Sequence, residues 1–157
     1  MAAKPLAVRL LEQRKIAQEV FEFDPAIRSA ELVARDTGMP PHVVYKTLVV
    51  ELDPPKGKPY IVMAPSDTEL DLRPLAATLG VKKLRMAAHR DAERYTGLQV
   101  GGISALALLG KGFTVLIDER ALAETHVLVS AGVRGMDVRM AVTDLIAITG
   151  ARAVPTG

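Results

Sequence analysis

The chain has 157 residues, no cysteine and a net charge of only +2. Its length suits one domain over 1–157, able to hide roughly 70% of its unfolded surface. The missing cysteines exclude disulfides, a cysteine nucleophile and cysteine-ligated metal, which fits a cytoplasmic protein. No run reaches the roughly 18–20 apolar residues of a membrane-spanning helix. The opening MAAKPLAVRLLEQRK lacks the continuous apolar stretch of a signal peptide.

Residues 5–16 read as a helix with Leu6, Leu10 and Leu11 on one side. QEVFEF alternates and reads as a short strand. Ser29 suits the cap of a helix running through Leu32 and Val33 to Gly38, and MPPHV a turn or the opening of a short helix. VVYKTLVVELD and YIVMA are strands, joined by PPKGKP into a hairpin over 44–64. LDLRPLAATLG is a helix with a glycine stop, KKLRM a strand, and AHRDAERYTG a short helix closed by Gly97. LQVGGIS is a glycine turn, FTVLID a buried strand and DERAL a helical turn. THVLVS and MDVRM are strands joined by AGVRG, and AVTDLIAITG is a last helix ending at Gly150. Strands outnumber helices and several are joined by short turns. That predicts an α+β fold, a mixed and largely antiparallel sheet with helices packed on it.

Recognisable catalytic spacings are missing. The three histidines, His42, His89 and His126, lie far apart with no metal-ligand spacing. None of the four serines sits in a nucleophile motif, and VGGIS is too short for a dinucleotide fingerprint. Lys82, Lys83, Arg85, His89, Arg90 and Arg94 concentrate basic charge, interleaved with Asp91 and Glu93. They read equally as a solvated face or as a nucleic-acid contact.

Lys46 is the anomaly. On a regular strand Val44, Lys46, Leu48, Val50 and Leu52 share one face, and Tyr45, Thr47, Val49 and Glu51 the other. The lysine interrupts the apolar stripe. It either snorkels to the sheet edge, pairs with a carboxylate such as Asp137, or stands in a pocket as a cation for an anionic ligand. Gly101 and Gly102 read either as a plain tight turn or as a close approach of backbone to a ligand. Asp137 has a salt bridge with Arg134 or Arg139 as its bland alternative.

YKTLVV, ELDLRPLAATLGVKKLRMA, TGLQVGGIS and VLVSAGVRGMDVRM occur in order, within a match running from LLEQRKI to DLIAITG. Together they resemble the YbaK family of free-standing aminoacyl-tRNA deacylases, which is similar to the editing domain inserted in bacterial prolyl-tRNA synthetases. The resemblance implies hydrolysis of the ester between a wrong amino acid and the terminal adenosine of tRNA. It implies Cys-tRNA(Pro) as first substrate, Ala-tRNA(Pro) as second, and no cofactor or metal. The partners implied are the aminoacylated tRNA end and, as a further candidate, prolyl-tRNA synthetase, with no membrane. Lys46 falls on the family's central functional residue and Thr47 on the threonine after it. The glycine loop falls on Gly101 and Gly102, and the aspartate on Asp137. Phe21 falls where relatives often carry Tyr, and Ser130 is a pocket-wall candidate. Lys82, Lys83, Arg85, Arg90 and Arg94 become candidate tRNA contacts.

The mechanism implied is positioning catalysis. Lys46 binds the phosphate or ribose side of the adenosine, and N–H groups at Gly101–Gly102 stabilise the oxyanion. The family loop usually reads G-x-x-x-P, whereas GGISA ends in Ala105, which is expected to loosen the loop or alter its course. Two rivals remain: a non-catalytic module binding a tRNA end or a synthetase, and a hydrolase of other small acyl esters.

Overall fold

The computed structural model describes residues 4–157. Helix α1 (Leu6–Gln13) buries Ala7, Val8 and Leu11, while Leu6 is 63% exposed. The expected Leu6/Leu10/Leu11 side is thus rotated. Ala7 and Leu11 stand one turn apart with Val8 beside them, and small Ala7 lets the helix sit close. Strand β1 (Gln18–Glu22) follows, then α2 (Ala30–Thr37). Ser29 occupies the cap position with extended backbone, but its side chain makes no capping bond. A 3-10 turn at Pro41–Val43 leads into β2 (Tyr45–Leu52), which pairs antiparallel with β3 (Tyr60–Pro65) as the predicted hairpin.

Helix α3 (Leu72–Leu79) starts at Asp71, whose carboxylate accepts from the Arg73 N–H at 3.1 Å. Strand β4 (Leu84–Met86), α4 (His89–Thr96), β5 (Thr114–Asp118), β6 (His126–Ser130), β7 (Met136–Ala141) and α5 (Val142–Thr149) follow the predicted order. Strand β8 (Arg152–Val154) does not figure in the sequence reading. Three residues carry no usable period.

The strands form two sheets, ordered β4-β2-β3-β5-β8 and β1-β7-β6. The β3–β5 and β5–β8 pairs are parallel and the other four antiparallel, so the sheet class is mixed and largely antiparallel as expected. Strand β5 is covered on both faces, which explains its unbroken apolar run.

Three cores share the strands. Tyr45, Val49, Ile61, Met63 and Ile117 meet Val127, Val129, Val138 and Met140 between the sheets. On the opposite face of the larger sheet, Val50, Val62 and Leu116 pack on Leu75 and Ala76 of α3. Leu128 of the smaller sheet packs with Val44 on Val33 and Ala34 of α2. Both faces of β2 are therefore buried, not one. Glu51, on the face expected to be polar, is 4% exposed. Arg85 Nε and Tyr95 Oη donate to it at 2.6 and 3.0 Å.

One irregularity positions the site. Strand β2 is joined to β6 only by a bridge between Val44 and Leu128, and to β4 only over Val50–Leu52. Between those neighbours the edge of β2 has no strand beside it among the described residues.

Candidate active site

A cavity of about 640 Å³ fills that gap, within the range of roughly 300–1,000 Å³ usual for small-molecule sites. It straddles the free edge of β2. Lys46 and Leu48 border it from one face of the strand, Thr47 and Val49 from the other. The parity argument alone would admit only one of Lys46 and Thr47. The strand is indeed regular, pairing one-to-one with β3 from Tyr45 to Val50, but the cavity wraps its edge. The Ala87 N–H donates to the Val49 carbonyl at 3.0 Å, so Val49 aims its backbone polar groups toward the β4 side. By strand alternation those of Thr47 aim the same way, into the gap.

Lys46 is half-buried and its Nζ donates to the Thr68 carbonyl, in the loop after β3. No carboxylate lies within ion-pair distance of it among the described residues. Asp137 is therefore not its partner. A half-buried cation answered only by a carbonyl leaves positive charge facing the cavity. Thr47 Oγ1 is buried with no hydrogen-bond partner among the described residues. A buried hydroxyl without a partner costs free energy until a ligand or water answers it.

The smaller sheet supplies the facing wall. Register places Ser130, Asp137 and Phe21 in one cross-strand row over β6, β7 and β1. Ser130 and Asp137 line the cavity; Phe21 does not. Phe21 packs instead into the apolar cluster under α2, and Phe23, two residues on and on the same face, borders the cavity. Asp137 is 7% exposed and makes no ion pair among the described residues, so neither Arg134 nor Arg139 is its partner. Burial pushes its carboxyl up to about 7.

The two glycines divide. Gly101 lines the cavity at φ +92°, a left-handed angle that favours glycine. Its N–H has no acceptor among the described residues. The Gly102 N–H is already committed to the Gln99 carbonyl at 2.8 Å, so it is not available to an oxyanion. Gly102 is needed for packing: a Cβ there would meet the Val133 and Arg134 backbone at 3.0 Å. Ala105 has φ −62°, the angle a proline would impose. Ser104 Oγ accepts from the Leu106 and Ala107 N–H groups at 3.1 and 3.3 Å and fixes the turn. The loop thus follows the course a proline would set.

Of the basic concentration, Lys83 pairs with Asp53 at 3.4 Å, Arg85 with Glu51 at 2.6 Å and Arg94 with Asp91 at 3.2 Å. Lys82 and Arg90 are exposed without an ion-pair partner among the described residues. None of the five lines the cavity. The cavity is also lined by Arg28, Arg134 and His89; of these only His89 belonged to the basic concentration read from the sequence, and Arg28 was not read at all. Arg28 and Arg134 sit in connections, where no period marks a face.

Comparison with known proteins agrees with this geometry. The family model for the aminoacyl-tRNA editing domain matches residues 24–148. The chain is 34% identical over 148 residues to an Enterococcus faecalis protein provisionally named Cys-tRNA(Pro)/Cys-tRNA(Cys) deacylase EbsC, covering 93% of this chain and 88% of that one. It is 29% identical over 125 residues to the prolyl-tRNA editing protein ProX of Acetoanaerobium sticklandii, covering 79% and 70%. A solved structure described as a provisional trans-editing enzyme for prolyl-tRNA synthetase superposes with TM-score 0.81 at 24% identity, covering 99% and 98%. At that identity it speaks for the fold. The chain belongs to the aminoacyl-tRNA editing domain family, the class of hydrolases that remove wrongly attached amino acids from tRNA.

Proposed function

We propose that the chain edits mischarged tRNA(Pro) in trans, with Cys-tRNA(Pro) as its first substrate and Ala-tRNA(Pro) as its second. The observation that carries this is Lys46, a half-buried cation without a carboxylate partner, at a cavity that also holds a free glycine N–H and an orphan hydroxyl. The EbsC and ProX names support the tRNA and the amino acid.

The terminal adenosine enters at the free edge of β2. Lys46 Nζ leaves the Thr68 carbonyl for a phosphate or ribose oxygen. The Gly101 N–H donates to the ester carbonyl and holds the oxyanion as charge develops, a role worth roughly 3–4 kcal/mol per donor. Thr47 Oγ1 and Ser130 Oγ border the aminoacyl group. The attacking group is water activated by the neighbouring ribose hydroxyl, or the thiol of a cysteinyl substrate. The ester C–O bond breaks and the 3′ oxygen leaves with a proton. Held geometry can supply about 7–11 kcal/mol, so no protein base is obligatory. A hydrophobic pocket discriminates poorly by one methylene, worth only about 1–3 kcal/mol, and excludes bulk better, which favours small amino acids as a class. Prolyl-tRNA synthetase is the partner this reading would add.

The test is Lys46→Ala on Cys-tRNA(Pro). Release of cysteine should fall by at least about 100-fold, consistent with losing an anchoring charge, with circular dichroism unchanged. Wild-type turnover by that variant would refute the role of Lys46.

A further inference from the structure

Val100, the residue before the cavity-lining glycine, is held from both sides by side chains. Its N–H donates to Glu93 Oε2 at 2.8 Å. Its carbonyl accepts from Arg134 Nε at 2.8 Å. Glu93 comes from α4, and Arg134 from the turn between β6 and β7. Both side chains border the cavity. They do not pair with each other within 4.0 Å among the described residues; they meet through the Val100 peptide groups.

The carbonyl of Val100 belongs to the same planar peptide as the Gly101 N–H. A planar peptide turns as one unit. The guanidinium on that carbonyl therefore fixes the direction in which the Gly101 N–H points. The bond from Glu93 fixes the preceding peptide, so the unit cannot rotate about Val100. Beyond it, the Gly102 N–H closes on Gln99, and the Arg28 side chain covers Gly101, its Cγ 3.1 Å from where a Cβ would lie. Glycine at 101 has the freest backbone of any residue. A loop built on it needs outside restraint if one N–H is to hold its aim. Arg134 also precedes Asp137 by three residues, so one turn carries the restraint of the glycine loop and leads into the facing carboxyl.

We propose that Glu93 and Arg134 are positioning residues that clamp the Val100 peptide and thereby aim the Gly101 N–H at the scissile carbonyl. The clamp rests on the reading of that N–H as the oxyanion donor. Charge-assisted bonds at both ends make it a stiff device for a two-residue span. Glu93 is thus a specific acceptor, and its negative charge is not itself required in the reaction.

Single-turnover deacylation of Cys-tRNA(Pro), paired with amide resonances of Val100 and Gly101 by nuclear magnetic resonance, tests it. Glu93→Ala should lower the maximal rate by about 10- to 100-fold, as a misplacement near 1 Å does, with half-saturation changed by less than about twofold. Glu93→Gln keeps an acceptor oxygen and should restore the rate to within about threefold. Arg134→Ala should repeat the Glu93→Ala signature, and both alanine variants should shift the two amide resonances. Shifted amides with an unchanged rate would overturn the proposal through the Gly101 donor reading. An unshifted Gly101 amide with a fallen rate would overturn the clamp and leave that reading standing. Failure of Glu93→Gln to restore the rate, with its amides in place, would equally overturn it by making the charge itself necessary.

Discussion

Asp137 is the residue whose surroundings and role pull hardest against each other. It is a carboxyl in a wall otherwise made of β7 and β6, with no cation to answer it. Burial raises it from the usual 3.8 to about 7. Between those two values the folded protein holds a proton that the unfolded chain has released. Folding stability is therefore highest below the lower value, falls as pH rises through the window, and levels off above about 7. Asp137→Asn removes the ionisation. At pH 8 it should stabilise the fold by on the order of 2–4 kcal/mol, at about 1.4 kcal/mol per unit, and near pH 4 by almost nothing. Urea denaturation at the two pH values checks this; equal effects at both would contradict it. Activity should fall in the same variant, because the carboxyl borders the substrate cavity. Nothing in the sequence pattern around MDVRM distinguishes this aspartate from one that pairs with Arg134 or Arg139. In the structure Arg139 shares a strand face with Asp137 without pairing with it among the described residues, and Arg134 Nε donates to the Val100 carbonyl instead.

At the scale of elements, Ala105 is the residue of the glycine loop that bears on its course. Ala105 already has the backbone angle of a proline, and its N–H makes no bond among the described residues. Ala105→Pro should therefore raise stability by about 0.4–1 kcal/mol by narrowing the unfolded ensemble. A lower urea midpoint would mean that the buried surroundings of Ala105 exclude the ring. The elements themselves were largely legible. The helix stops at Gly38, Gly80, Gly97 and Gly150 all fall as read, each at positive φ. The alternating and continuous apolar runs gave seven of the eight strands. What pattern could not supply was which face of β2 mattered. Both faces are covered, and Glu51 reads as exposed until Arg85 and Tyr95 close on it. The site depends on a missing neighbour, the free edge between Val44 and Val50, and an absent strand leaves no mark in a sequence. Phe21 illustrates the same limit. Its aromatic character and strand were readable, but its packing into the apolar cluster under α2, with Phe23 bordering the cavity, depends on the tertiary arrangement.

For the whole molecule, electrostatics set how tRNA is held. The basic stretch from Lys82 to Arg94 is largely neutralised by Asp53, Glu51 and Asp91. The cavity holds Lys46 and Arg28 as well, while Arg134 is engaged with the Val100 carbonyl. About two phosphate contacts to a single-stranded end predict a slope of log affinity against log salt of about −1.4. A slope steeper than about −5 would place a larger tRNA surface on the chain, with the 82–94 face the first place to look. On the proposed function, the same arrangement would read the tRNA end. The most direct test is to incubate the protein with a panel of aminoacyl-tRNAs and follow release of each amino acid. The account predicts rapid release of cysteine, and slower release of alanine, from tRNA(Pro), with Pro-tRNA(Pro) spared. Binding of these tRNAs without release of any amino acid, or equal hydrolysis of a small acyl ester lacking tRNA, would contradict it.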